Sequence, residues 1–152
     1  MTETQELRGW ESGARWQGVE SEHQALDRIV DRVEAMLGRL ARGQKGEEAK
    51  VRGLVGELRA RFFEHLDGEE ANRILEQAAT VAPRFAGRVD RLLGEHDDLR
   101  ARMRALVAGA DGEGWTGLHA RFVEFRRVLR AHERAENDVV QRAYLEDLGG
   151  MG

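Results

Sequence analysis

A chain of 152 residues, 41% hydrophobic and 34% charged, is the size of one soluble domain with room for a continuous core, and its single Pro and abundant Ala, Leu, Arg and Glu predict an all-α fold. A net charge of −4 and a pI near 5.8, with Arg interleaved among Glu and Asp, supply no basic footprint for nucleic acid. The lack of cysteine rules out disulfides and thiolate ligands, so any metal must be held by imidazole and carboxylate; no apolar run of about 18 residues is present to cross a membrane, and the polar, acidic start lacks a secretory signal, so a cytoplasmic location is expected.

Residues 1–18 are polar apart from Leu7, Trp10 and Trp16, and Gly9, Gly13 and Gly18 punctuate them. This stretch reads as an N-terminal arm, either flexible or held through its tryptophans against the rest of the chain, a protein partner or a second copy. From Val19 the apolar positions Val19, Leu26, Val30, Val33, Leu37 and Leu40 recur in steps of three and four, with His23 inside the seam. Gly43-Gln44-Lys45-Gly46 is the first turn.

The second helix, about residues 47–80, carries Val51, Leu54, Leu58, Phe62, His65 and Glu69 on one stripe, and Gly53, Gly56 and Gly68 make it depend on tertiary contacts. Pro83 ends the second turn and opens the third helix, whose register runs Phe85, Val89, Leu92, His96, Leu99, Met103, Leu106. After Asp111-Gly112-Glu113-Gly114 the fourth helix shows Leu118, Phe122, Phe125, Leu129, His132, Glu136, Val139 and Ala143. Residues 149–152 read as a disordered tail, and residues 19–148 as an antiparallel up-down-up-down four-helix bundle with no internal repeat beyond its two hairpins.

A lone histidine on an apolar face is more often a core residue than a ligand, and a His-x3-Glu pair is a weak motif; axial level decides the question. His23 and His65 lie about 19 and 18 residues from the first turn, and His65 and His96 about 14 and 13 from the second, so at about 1.5 Å per residue their levels nearly match. His96 and His132 match to about one helical turn. His119 lies about 20 Å along the helix from His132 and reads as a surface residue. Four imidazoles and two carboxylates buried without partners would cost about 1–3 kcal/mol each, more for the charges, against a domain stability of about 5–15 kcal/mol. A metal accepting all six, His23, His65, Glu69, His96, His132 and Glu136, removes the conflict.

One Glu-x-x-His, Glu20 to His23, is present, where ferritin-like centres need two, and His-Glu-x-x-His is absent. The pattern that remains, a His on helices one and three and a His-x3-Glu on helices two and four, resembles the hemerythrin-like HHE cation-binding family over about residues 19–145. The resemblance implies a left-handed bundle holding two iron ions with an oxo or hydroxo bridge, His23 and His132 on one iron, His65 and His96 on the other, and Glu69 and Glu136 bridging. Asp27, four residues after His23, is either an outer partner or ligand of the centre or an exposed partner of Arg28 or Arg32.

The oxygen carriers of that family have a second histidine four residues from the third-helix one and a His-x4-Asp on the last helix; here positions 92 and 100 are Leu and Arg, and Glu136 stands at plus four. The four-His, two-Glu set is similar to that of iron-centre repair proteins and iron-sensing members, although the repair proteins carry a cysteine-bearing N-terminal part that this chain lacks. The implied ligand count leaves each iron an open position, which suits dioxygen, nitric oxide or peroxide, in handling oxidative or nitrosative stress. An oxidoreductase, a sensing module acting through a partner and a metal-free structural bundle all stay open at this point.

Overall fold

The computed structural model describes residues 3–112 and 114–149, with side chains described for residues 15–110, 112 and 114–145. Its elements are α1 (Glu3–Ala41), α2 (Glu48–Asn72), α3 (Ile74–Val81), a turn of 3-10 helix (Pro83–Phe85), α4 (Ala86–Gly112) and α5 (Trp115–Gly149), with no strand among the described residues. The four long helices form a bundle in which α1 and α4 each pack against both α2 and α5. Gly43 and Gly46 adopt positive φ of 91° and 109°, so the first turn uses the left-handed backbone that glycine adopts without a Cβ clash.

One expectation needs revision. The second helix is not continuous from 47 to 80, because Arg73 takes a left-handed conformation (φ 56°, ψ 32°) between α2 and α3. The Asn72 side chain accepts the Ile74 N–H at 3.0 Å and thereby restarts the helix, while Arg15 donates to the Asn72 carbonyl at 3.1 Å. Periodicity survives such a break, which is why it did not show in the apolar pattern.

At the N-terminus α1 runs without interruption through Gly9, Gly13 and Gly18. Trp16 is buried in the bundle, and the side chain of Trp10 lies outside the described residues. Gly149 closes α5, and residues 150–152 also lie outside the described residues.

The core divides into two apolar clusters. One contains Leu26 to Leu40 of α1, Val51 to Leu66 of α2, Leu99 to Ala110 of α4 and Leu118 to Leu129 of α5, and includes Phe62 and Phe125 edge to face at 5.6 Å. The other contains Trp16, Val19, Ile74, Leu75, Phe85, Val89, Leu92, Val139 and Ala143. Each buried large side chain contributes about 1.5–3 kcal/mol, so the two clusters can carry a costly polar layer between them. That layer falls between Val19 and Leu26, Phe62 and Ile74, Leu92 and Leu99, and Leu129 and Val139.

Candidate metal centre

Each long helix interrupts its apolar seam at this level: His23 on α1, His65 and Glu69 on α2, His96 on α4, His132 and Glu136 on α5. All six are buried, from 8% exposed for His23 to 0% for His96 and Glu136. Glu69 lies at the middle. Its Oε1 is 3.0 Å from His23 Nε2 and 2.7 Å from His65 Nε2, and its Oε2 is 3.4 Å from His96 Nε2. Glu136 Oε1 lies against His132 Nε2 and 3.8 Å from His96 Nε2.

The shared level derived from helix rise is therefore present, and within it the nearest histidines are those of one hairpin, whereas the resemblance implied His23 with His132 and His65 with His96 as ligands of common irons. Rings pair within each hairpin, His23 with His65 at 4.7 Å and His96 with His132 at 5.1 Å. Donor atoms converge in two groups, His23, His65 and Glu69, and Glu69, His96, His132 and Glu136. Axial level fixes which residues share a layer and not which neighbours within it meet; here Glu69 spans the two pairs and sets the division.

Three acidic residues that sequence reasoning passed over hold the outer nitrogens. His65 Nδ1 meets Glu22, His96 Nδ1 lies 3.0 Å from Glu70 Oε1, and His132 Nδ1 lies 2.6 Å from Glu95 Oε2. An ionised carboxylate only accepts, so each Nδ1 carries the proton and each Nε2 faces the interior. The signal was present in the sequence, since Glu22-His23 and Glu95-His96 are the same dipeptide at the same place in the two hairpins. Each such Glu serves the histidine of the next helix, not its own neighbour.

The remaining candidates separate cleanly. His119 is half-buried against Gly38, away from the centre. Leu92 is core, and Arg100 pairs with Asp67, Glu70 and Asp97, so neither supplies the further ligand position of the oxygen carriers. Asp27 lines a cleft of about 340 Å³ between α1 and α5 together with His23, Glu133, Arg134 and Asn137. Burial, then the charges of Asp27 and Glu136, push the Glu133 carboxyl up to about 9.

Burial alone would lower the imidazole pKa values, but the carboxylates outweigh it. His65 rises to about 9 beside Glu69 and Glu22, and His96 to about 10 beside Glu136, Glu69 and Glu70. His132 is raised by Glu136 and Glu95 against the same opposition from burial. Burial opposes ionisation of Glu69 as well, and His23, His65 and His96 overcome it and hold its carboxyl far below the usual range.

His96 Nε2, Glu69 Oε2 and Glu136 Oε2 are buried without a hydrogen-bond partner, and His132 Nε2 and Glu136 Oε1, though in contact, do not form a well-shaped hydrogen bond. A set of converging imidazole nitrogens and carboxylate oxygens, orphaned toward one another and fixed from behind, fits a metal ion and is costly without one. Fold and site together define a four-helix bundle with a buried His/Glu cation centre.

The chain belongs to the hemerythrin family: the family model of the hemerythrin HHE cation-binding domain matches residues 16–144. No curated protein and no solved structure matches it. No helix among the described residues is long and apolar enough to cross a membrane.

Proposed function

We propose that the chain is a non-haem di-iron protein, with one iron among His23, His65 and Glu69 and the other among Glu69, His96, His132 and Glu136, and that it binds dioxygen, nitric oxide or peroxide in handling oxidative or nitrosative stress in the cytoplasm. The observation that carries this is the orphaned interior atoms, set against Nδ1 atoms already engaged by carboxylates. An iron pair with its oxo or hydroxo bridge supplies redox and Lewis-acid chemistry when bound. The protein's own part is to present neutral Nε2 donors in fixed orientation, through Glu22, Glu70 and Glu95, and to keep bulk water away with the apolar clusters on either side.

A second reading, a sensing or binding module acting through a protein partner or a second copy, is favoured by one contact. Trp16 stands edge-on to His23 at 6.2 Å on the same helix, so a change at His23 reaches the N-terminal part of α1 directly. Iron-centre repair is the weaker form of this reading, because the chain has no cysteine.

The test is anaerobic ferrous loading with metal analysis, followed by an optical spectrum on adding oxygen. Two irons per chain and an oxygen-dependent spectrum are expected, kept in His119→Ala and lost or halved in His96→Ala. Full loading of His96→Ala overturns the proposal.

A further inference from the structure

The two hairpins are related position by position: Glu22 and His23 correspond to Glu95 and His96, and His65, Glu69 and Glu70 to His132, Glu136 and Asn137. The outer contacts obey the same relation. Within the hairpins, Glu22 holds His65 and Glu95 holds His132; between them, Glu70 of α2 holds His96 of α4. The fourth contact of the set would run from α5 back to His23, and the residue at that place is Asn137.

Among the described residues no carboxylate is paired with the Nδ1 of His23, whose polar contact is Nε2 to Glu69. Asn137 shares the α1–α5 cleft with His23, and its side-chain oxygen is buried without a partner. An amide oxygen accepts an Nδ1–H bond as a carboxylate does, but without the charge, so it raises the donor strength of Nε2 less. His23 is also the most exposed of the four histidines, at 8%, and its group has three donor residues where the other has four.

We propose that Asn137 is the positioning residue of His23, and that by replacing a carboxylate with an amide it makes the two metal positions unequal: the His23/His65 position is the weaker, exchangeable one, open to the α1–α5 cleft, and the His96/His132 position is the tight, permanent one. The inference rests on the metal reading above and adds an order to it.

The experiment is a stepwise anaerobic cobalt(II) titration of the whole chain, read by calorimetry and visible absorption, with a chelator chase. Two steps are expected, their affinities differing by about 10- to 100-fold, the range over which outer partners tune metal binding. His23→Ala should remove the weak step alone and His132→Ala the tight one. Asn137→Glu, which copies Glu70, should tighten the weak step by about 10-fold or more and slow its loss to chelator; Glu70→Gln, the reverse exchange, should weaken the tight step and narrow the gap. Two equal steps in the unaltered protein, or a tight step that disappears in His23→Ala, overturn the inference while leaving the metal reading standing. So does an Asn137→Glu protein with native helicity and unchanged steps. No cobalt bound at all overturns both.

Discussion

Arg100 donates at 2.8 Å to the same Glu70 oxygen that accepts the Nδ1–H of His96 at 3.0 Å. The arginine pins the carboxylate that orients the histidine one turn before it. Glu70→Ala should therefore weaken binding at the His96/His132 position by about 10- to 100-fold, and Arg100→Leu by less, because Glu70 stays in place. Metal affinity measured by competition with a chelator checks this. An unchanged affinity in Glu70→Ala removes Glu70 from the centre.

Proton release follows from the same carboxylates. In the metal-free protein His65 and His96 are raised to about 9 and about 10 from 6.5, so both are protonated at neutral pH, and a metal must displace those protons. The raised pKa values stabilise the metal-free fold fully below about pH 6.5, and that contribution disappears as pH rises through 9 and 10. Metal affinity runs the other way, growing over the same window. The difference in melting temperature between loaded and metal-free protein should widen from pH 7 to pH 9, and a pH-stat should record proton release on loading at pH 7 that falls away above about pH 10. A constant difference across that window excludes protonated His65 and His96.

How much of this was legible in the sequence follows from which physics each feature obeys. The six interior residues could be placed in one layer because helix rise is fixed and the turns are short, and their donor atoms do lie in two groups that share Glu69. Which histidines lie nearest one another, His23 with His65 and His96 with His132, was not legible, since it depends on where the side chains reach across the bundle. Glu22, Glu70 and Glu95 stand beside interior residues in sequence but act on the next helix, so a reading confined to one helix face passes over them. The break at Arg73 arises from the Asn72 side chain competing for a backbone N–H, a local event that leaves the apolar spacing intact.

Gly53 and Gly56 lie exposed within α2, and a Cβ added at either meets nothing within 4 Å. Glycine costs a helix about 0.8–1 kcal/mol relative to alanine, with no compensating close approach at these positions. Gly53→Ala and Gly56→Ala should each stabilise the fold by about that amount and, far from the centre, leave metal stoichiometry alone. Denaturant unfolding measures the first and metal analysis the second; a loss of stability in both variants means the space is filled.

The donor groups count three residues for one position and four for the other, short of the six that iron prefers. Azide or nitric oxide should therefore bind iron-loaded protein and shift its visible spectrum. The His23/His65 position, with fewer protein donors, should respond at the lower azide concentration, so His23→Ala should remove the more sensitive part of the response. A spectrum unmoved by saturating azide and nitric oxide means that both positions are closed.

Removing the metal should loosen α2 first. Without it the desolvation of Glu69, His96, His132 and Glu136 is offset only by histidine–carboxylate pairs whose geometry leaves His96 Nε2, Glu69 Oε2 and Glu136 Oε2 without a hydrogen bond. Of the long helices, α2 contributes two of the six interior residues and holds Gly53, Gly56 and Gly68; it begins at Glu47 without a side-chain cap and ends on the left-handed Arg73 four residues after Glu69. Its stability therefore comes from what its buried face touches, and three of the five interior histidine–carboxylate contacts pass through Glu69. Metal-free protein should melt lower than loaded protein at neutral pH, and amide exchange should quicken across residues 58–75 before it does in α4 around His96. If both forms melt together and residues 58–75 exchange equally slowly in each, the buried cluster is satisfied without metal and the centre is not part of what holds this bundle.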